Sequence, residues 1–180
     1  DAGQMRITPI SYPKPMGVCY HDQKLAIATK QELHLYANSP QLSGYIDGDN
    51  RRFENLFFPR VTYHTGTLDL HDITYLDNKI TAVNTLFSCI CQFDQNYNFT
   101  PIWQPHFISE LKPEDRCHLN GIAVEDDTIK YITALGSGNT RQSWREDIIG
   151  GGILMDVEQN KIVLDELSMP PSPRLYNNKL

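Results

Sequence analysis

The chain has 180 residues, enough for one domain with a sizeable core, and its 40% hydrophobic and 21% charged residues are typical of a soluble globular protein. The formal net charge is -6, and every cluster of Lys and Arg has acidic neighbours. Both features argue against a surface that binds nucleic acid or anionic membranes. No apolar run approaches the roughly 18 residues that a membrane helix needs. We therefore expect neither nucleic acid nor membrane among the partners.

The cysteines are too few to form a disulfide scaffold in a protein of this length. They are Cys19, Cys89, Cys91 and Cys117. Because one residue separates Cys89 from Cys91, strand alternation points both thiols to the same face. Zinc sites usually have two or more residues between neighbouring cysteine ligands, and the Cys89–Cys91 pair lacks this spacing. We therefore expect reduced thiols in or near the core of a cytoplasmic protein.

Three stretches share one plan, in which an apolar strand, a turn rich in Asp or Asn and a second β-branched strand follow one another. They are VCYHDQKLAIAT (18–29), ITYLDNKITAVNT (73–85) and IAVEDDTIKYIT (122–133). Aligning the turns brings Leu25, Ile80 and Ile129 into register. The last four residues, NNKL at 177–180, resemble the start of the same turn and place Leu180 at the equivalent position. The intervals between these four positions are 55, 49 and 51 residues. A unit of about 50 residues built from short strands is typical of β-propeller blades.

Further segments follow each of these pairs of strands. The segments 31–38, 87–98 and 151–163 are again rich in β-forming residues. Three insertions contain His, Trp and charged residues that do not follow the β pattern. They are 59–69, 101–115 and 136–150. A short helix fits only Phe107 to Leu111, ahead of Pro113.

The sequence therefore predicts an all-β, β-propeller-like fold with about three blades and the start of a fourth. We assign residues 1–180 to a single domain, with repeats near 15–70, 71–119 and 120–171 and a partial unit at 172–180. Propellers typically need four to eight blades to close their ring. An incomplete ring predicts either a fragment of a longer propeller, completed by a missing C-terminal segment, or self-association through open sheet faces and edges.

Several blocks of the sequence resemble, in one order, the motifs of an uncharacterised, mainly bacterial family of hypothetical proteins described only as a domain of unknown function. They are HTGTLDLHDI, NTLFSC, PEDRCHLNGIAV, YITALG, SWRE, GGILMDV and LSMPPSPRLYNNKL. The resemblance extends from about Pro15 to the last residue. It implies a propeller-like fold and a longer protein, and it implies no particular reaction. This sequence has Pro171 where that family has His, so no imidazole is available at that position.

A more distant resemblance is to the gluconolactonase and strictosidine-synthase group of six-bladed propellers. In that group an Asn-Gly at the inner start of a blade provides a calcium ligand. The stretch HLNGIAV, at residues 118–124, is similar to this element. The resemblance therefore implies a metal near Asn120 and a hydrolase or lactonase activity.

Polar side chains precede the predicted first strands of two neighbouring blades. The first strand of a propeller blade lines the central channel, so the loops that lead into these strands converge at one mouth. The repeat register makes His71 equivalent to Asn120. Convergent polar groups from separate repeats are costly to desolvate and are commonly present for a ligand. The predicted ligand-binding residues are His71, Asp72, Arg116, His118, Asn120 and Arg174.

A structural explanation competes with this prediction. A His or Asp just before a strand commonly braces a loop through hydrogen bonds to the backbone. The guanidinium groups of Arg116 and Arg174 can grip an anionic or sugar-like ligand. However, Asp115 is close enough in sequence to hold Arg116 in an internal salt bridge. Trp144 lies in an insertion, where it either stacks on a ligand or covers a blade.

Three functions fit the sequence. The first is a module that binds a small polar or anionic molecule at the channel mouth. The second is a metal-dependent hydrolase or lactonase, in which Asp72, His118 and Asn120 hold a divalent metal and a His serves as general base. The third is a scaffold that associates with other chains. Calcium normally takes six to eight oxygen ligands, so the few carboxylates near the mouth favour binding over metal catalysis.

Overall fold

The computed structural model describes residues 7–45, 54–177 and 179–180. These residues form three four-stranded antiparallel sheets, in each of which the strands follow chain order. The first sheet contains β1 (Val18–His21), β2 (Lys24–Ala28), β3 (Glu32–Asn38) and β4 (Phe57–His64). The second contains β5 (Leu70–Leu76), β6 (Lys79–Asn84), β7 (Cys89–Gln92) and β8 (Thr100–Trp103). The third contains β9 (Leu119–Glu125), β10 (Thr128–Ala134), β11 (Gly152–Asp156) and β12 (Lys161–Leu167).

A two-residue turn with positive φ joins the first two strands of every sheet. The turn residues are Asp22 and Gln23, Asp77 and Asn78, and Asp126 and Asp127. This backbone is typical of type I′ turns, in which Asp and Asn are favoured because they tolerate the left-handed region. Leu25, Ile80 and Ile129 each occupy the second position of the strand that follows. The predicted pairs of strands are therefore confirmed.

Two hydrophobic clusters lie between neighbouring sheets, and the central sheet contributes to both. Cys89 and Cys91 pack in the cluster shared with the first sheet, whereas Ile90 packs in the cluster shared with the third. This alternation confirms that the two thiols share a face. Fully buried side chains such as Leu33 and Ile132 each contribute roughly 1.5–3 kcal/mol.

The inner strands β1, β5 and β9 of the three sheets lie side by side. Each sheet therefore occupies the position of a propeller blade, with its first strand innermost and its last strand outermost. The prediction of an all-β, propeller-like fold with about three blades is confirmed. We number the sheets as blades one to three in chain order.

Helical structure in the described ranges is limited to two short 3-10 segments, Pro40–Tyr45 and Ser143–Glu146. The helix predicted for 107–111 is wrong. Gln104 Nε2 donates to the carbonyl of Ile108 at 2.8 Å, and this side-chain contact supports a loop. None of the helical segments described is long and apolar enough to cross a membrane.

The insertion predicted for 59–69 is also wrong over much of its length. Residues up to His64 belong to β4, which pairs with β3 along its whole length. Pro59 is tolerated because β4 is an edge strand, where a missing N–H does not interrupt a ladder between two strands.

The segment 170–174 crosses the start of β9 in close contact with Gly121. A Cβ on Gly121 would lie 2.4 Å from Cα of Ser172 and 2.7 Å from Cδ of Pro173. Glycine is therefore required by the close approach of another backbone. This contact holds the 170–174 segment against the inner strand of blade three.

We expect Gly121→Ala to lower the free energy of unfolding by about 1–3 kcal/mol, because the new methyl group overlaps backbone atoms that must shift. Urea unfolding followed by circular dichroism measures the change, with the exposed Ser168→Ala as the control. A loss below about 0.5 kcal/mol would contradict this packing.

Candidate functional site

The strands β5 and β9 are irregular at their first residues, and the irregularity falls on predicted site residues. Between Leu70 and Ile73 the register of β5 on β6 shifts, so that His71 and Asp72 face one residue of the partner strand. A similar shift leaves Asn120 without an opposite residue on β10. Such bulges re-aim side chains and are common beside functional sites. They explain how neighbouring strands bring polar groups together here.

His71 and Asn120 meet across the two blades. Nδ1 of His71 lies 3.1 Å from Oδ1 of Asn120, and Nδ2 of Asn120 donates to the carbonyl of Pro170 at 2.7 Å. Because the second bond fixes the orientation of the amide, Oδ1 accepts from an Nδ1–H of His71. The neutral ring then carries its lone pair on Nε2.

His118 is oriented in the same way by Asp115. Its Nδ1 lies 3.0 Å from both carboxylate oxygens of Asp115, and Nε1 of Trp144 donates to Oδ2 of this carboxylate at 3.1 Å. An ionised carboxylate only accepts hydrogen bonds, so Nδ1 of His118 carries the proton. Nε2 of His118 is again the position with the lone pair when the ring is neutral.

Both members of this pair have unusual backbone angles. Asp115 has φ 49° and His118 has φ 50°, in the left-handed region that non-glycine residues adopt uncommonly. Surrounding bonds hold the segment, since Asp115 N donates to Leu86 O at 2.9 Å and Thr85 Oγ1 donates to Leu119 O at 2.6 Å. Strain that the surroundings impose is a feature of many functional sites.

The two imidazoles contact each other directly. Their ring centroids are 4.7 Å apart with an interplanar angle of 85°. Burial lowers the pKa of His71 from its usual range, and the neighbouring His118 acts in the same direction, while the bond to Asn120 opposes them. His71 is therefore neutral near pH 7. Neither Nε2 has a hydrogen-bond partner among the described residues, and neither is sealed from solvent.

Trp144 forms the far side of this cluster. Its ring lies 4.4 Å from the His118 ring, centroid to centroid, and the guanidinium of Arg145 covers the indole at 4.2 Å. Trp144 is buried, so it braces His118 and has little surface to offer a ligand. We call the group His71, Asp115, His118, Asn120 and Trp144 the mouth cluster.

Asp72 and Arg174 form a separate contact next to the mouth cluster. Arg174 donates from Nη1 to Oδ2 and from Nη2 to Oδ1 of Asp72, at 2.9 and 3.1 Å. The backbone N–H groups of Ile73 and Ile122 donate to the same carboxylate, both at 3.1 Å. The buried carboxylate thus has four donors, which come from blade two, blade three and the 170–174 segment.

A cavity of about 210 Å³ lies beside this ion pair, between the three inner strands. Its walls include Cys19, Thr74, Val124 and Arg174. Burial, with a smaller effect of the Asp72 charge, raises the pKa of the Cys19 thiol to about 12. Cys19 is therefore protonated at neutral pH, the less reactive state of a thiol.

Arg116 does not join the mouth cluster. Its guanidinium donates to Glu114 at 2.7 Å, to Glu110 at 3.0 Å and to Asn139 Oδ1 at 2.8 Å. The salt bridge with Asp115 that the sequence suggested is wrong, because Asp115 turns toward His118 and Trp144. Arg116 instead joins the insertion after β8 to the one after β10.

The described residues contain no group of three or more His, Cys, Asp or Glu side chains that could hold a metal ion. The predicted metal ligands are divided between two contacts. Asp72 is bound by Arg174, whereas His118 and Asn120 belong to the mouth cluster.

Comparison with known families agrees with the motifs in the sequence. A family described as a domain of unknown function, DUF4915, matches residues 1–180. The chain belongs to this family. No curated protein shows significant similarity to it. The description of the DUF4915 family names no reaction, so function must be argued from the side chains.

Two residues of the mouth cluster were absent from the predicted site of this DUF4915 chain. The sequence pairs Asp115 with its neighbour Arg116, and it fits Trp144 equally well to stacking on a ligand and to covering a blade. The spacing of three residues between Asp115 and His118 was the available signal, because a sharp turn brings such positions together. Trp144 follows Asp115 by 29 residues, so only the folded chain reveals their contact.

We expect Asp72→Ala to lower the free energy of unfolding by about 2–3 kcal/mol, because it leaves two buried N–H groups without an acceptor. Arg174→Ala should cost less, since the Arg174 side chain is 61% exposed and Asp72 keeps its two backbone donors. Chemical denaturation measures both variants beside Asp165→Ala, an exposed carboxylate on β12. Equal losses for Asp72→Ala and Asp165→Ala would contradict the proposed contact.

Proposed function

We propose that the mouth cluster binds a small polar ligand that donates hydrogen bonds to Nε2 of His71 and of His118. The observation that carries this proposal is the shared orientation of the two rings. Each Nδ1 is occupied by an oxygen of the protein, and each Nε2 is left without a protein partner in the described ranges. In their neutral forms, the two imidazoles, which touch each other, each offer Nε2 as an acceptor.

The surroundings favour a polar ligand over an anionic one. The two arginines that suggested an anion are engaged, Arg116 by Glu110 and Glu114 and Arg174 by Asp72. The carboxylate of Asp115 lies directly behind His118 and repels negative charge. A hydroxyl-rich molecule such as a sugar or polyol has the donors that this site needs.

The same orientation supports a second candidate, a metal-dependent hydrolase or lactonase. Histidines that ligate metals commonly donate their other ring N–H to a carboxylate or carbonyl oxygen, as His118 and His71 do here. Two imidazoles suit a first-row transition metal better than calcium. Such a metal would activate water or polarise a carbonyl. Since Asp72 is bound by Arg174, His71 and His118 are the better supported ligands.

The two candidates predict different responses to ligands. A polar ligand predicts that one class of a thermal-shift panel of sugars, polyols and lactones raises the melting temperature. Isothermal titration with that class should then show at least about tenfold weaker binding to His71→Gln and to His118→Gln, a loss of about 1.4 kcal/mol. His106→Gln, an exposed histidine outside the cluster, is the control and should bind as the wild type does.

Protonation of the rings should abolish binding, because a protonated imidazole has no acceptor. Affinity should therefore fall as pH decreases, and for His71 the loss should begin below the usual histidine range because its pKa is lowered by burial.

Stoichiometric Zn²⁺ or Co²⁺ binding that both His variants lose would favour the metal-dependent candidate. Unchanged binding in both His variants would contradict both candidates.

A further inference from the structure

A cleft lined by described residues lies between blades one and two, at the opposite end of β5 from the mouth cluster. It has a volume of about 350 Å³, within the range of pockets that hold small organic ligands. Asn78, in the turn after β5, is part of its lining. His71 is at the other end of this seven-residue strand, roughly 20 Å away at the usual rise per residue. The cleft is therefore a separate site.

The charged residues that line this cleft are all basic. Lys24, Arg60 and Lys79 line it, and no Asp or Glu is among the described lining residues. This is unusual in a chain whose formal net charge is -6. Cations that border a low-dielectric cleft raise the local concentration of anions.

Lys24 is also held in position across the gap between the blades. Its Nζ donates to Oδ1 of Asn78 at 3.2 Å, which joins β2 of blade one to the first turn of blade two. The nearest carboxylate in the described ranges is that of Asp22, at 4.0 Å. Two donor positions of the ammonium group are therefore left for a ligand.

The walls of the cleft are largely apolar and aromatic. They are formed by Leu35, Tyr36, Val61, Tyr63, Tyr75, Ile80 and Phe93. Tyr63 and Phe93 face each other with ring centroids 6.4 Å apart. Burial raises the pKa of Tyr75 to about 12, so its hydroxyl is protonated and adds no negative charge. Aromatic walls next to cations suit a flat apolar body that carries an acidic group.

We propose that this cleft binds a compact aromatic anion, with its ring against the tyrosine and phenylalanine side chains of the walls and its acidic group at Lys24 and Lys79. Carboxylate, sulfonate and phosphate groups share the chemistry that two ammonium groups recognise. The site is independent of the mouth cluster, and neither function requires the other.

A matched pair of probes tests the proposal by isothermal titration. We expect 2-naphthoate to bind at one site per chain, and 2-naphthamide, which has the same ring system and no charge, to bind at least about tenfold more weakly. Increasing salt should weaken naphthoate binding, because charge attraction across an open cleft is screened. Similar affinities for the two probes, or several weak sites per chain, would overturn the proposal.

Three variants locate the binding. Lys24→Ala with Lys79→Ala should weaken naphthoate binding at least about tenfold, whereas Lys161→Ala, an exposed lysine of β12, should leave it unchanged. Val61 is 42% exposed on an edge strand, so Val61→Glu places a negative charge in the cleft with little effect on folding. This variant should abolish binding of naphthoate. Full binding by Val61→Glu, or equal losses in the lysine pair and in Lys161→Ala, would contradict the assignment.

Discussion

The buried carboxylate of Asp72 is the contact on which the relation between blades two and three depends. A carboxylate removed from water needs donors, and Asp72 obtains them from its own strand, from Ile122 on β9 and from Arg174. One side chain thus joins two blades and the 170–174 segment. Gly121 allows the segment to approach closely enough for Arg174 to reach the carboxylate.

The irregular start of β5 places His71 and Asp72 in different roles. Asp72 takes part in the structural contact, whereas His71 meets Asn120 and the ring of His118. Left-handed backbone at Asp115 and His118 brings the second imidazole to this position. The charged side chains around the proposed ligand site are therefore bound to other protein groups, Arg174 to Asp72 and Asp115 to His118. What is left for a ligand is the pair of Nε2 atoms.

Strand order and turns could be predicted from the sequence because they depend on local patterns. Turns that contain Asp or Asn between two β-forming runs indicate type I′ turns, and they gave the correct register of Leu25, Ile80 and Ile129. The side-chain partners could not be predicted in this way. Asp115 lies next to Arg116 in sequence, yet the left-handed turn directs it to His118 and Trp144. Long-range contacts such as Arg174 with Asp72, 102 residues apart, leave no local signal.

The tautomers of His71 and His118 test the central claim most directly. Long-range ¹⁵N–¹H correlation spectra of the histidine rings distinguish Nδ1–H from Nε2–H, and His71→Gln and His118→Gln assign the signals among the six histidines of the chain. We predict that the neutral form of each ring carries its proton on Nδ1 and leaves Nε2 unprotonated. A dominant Nε2–H form in either ring would remove an acceptor and contradict the proposed site.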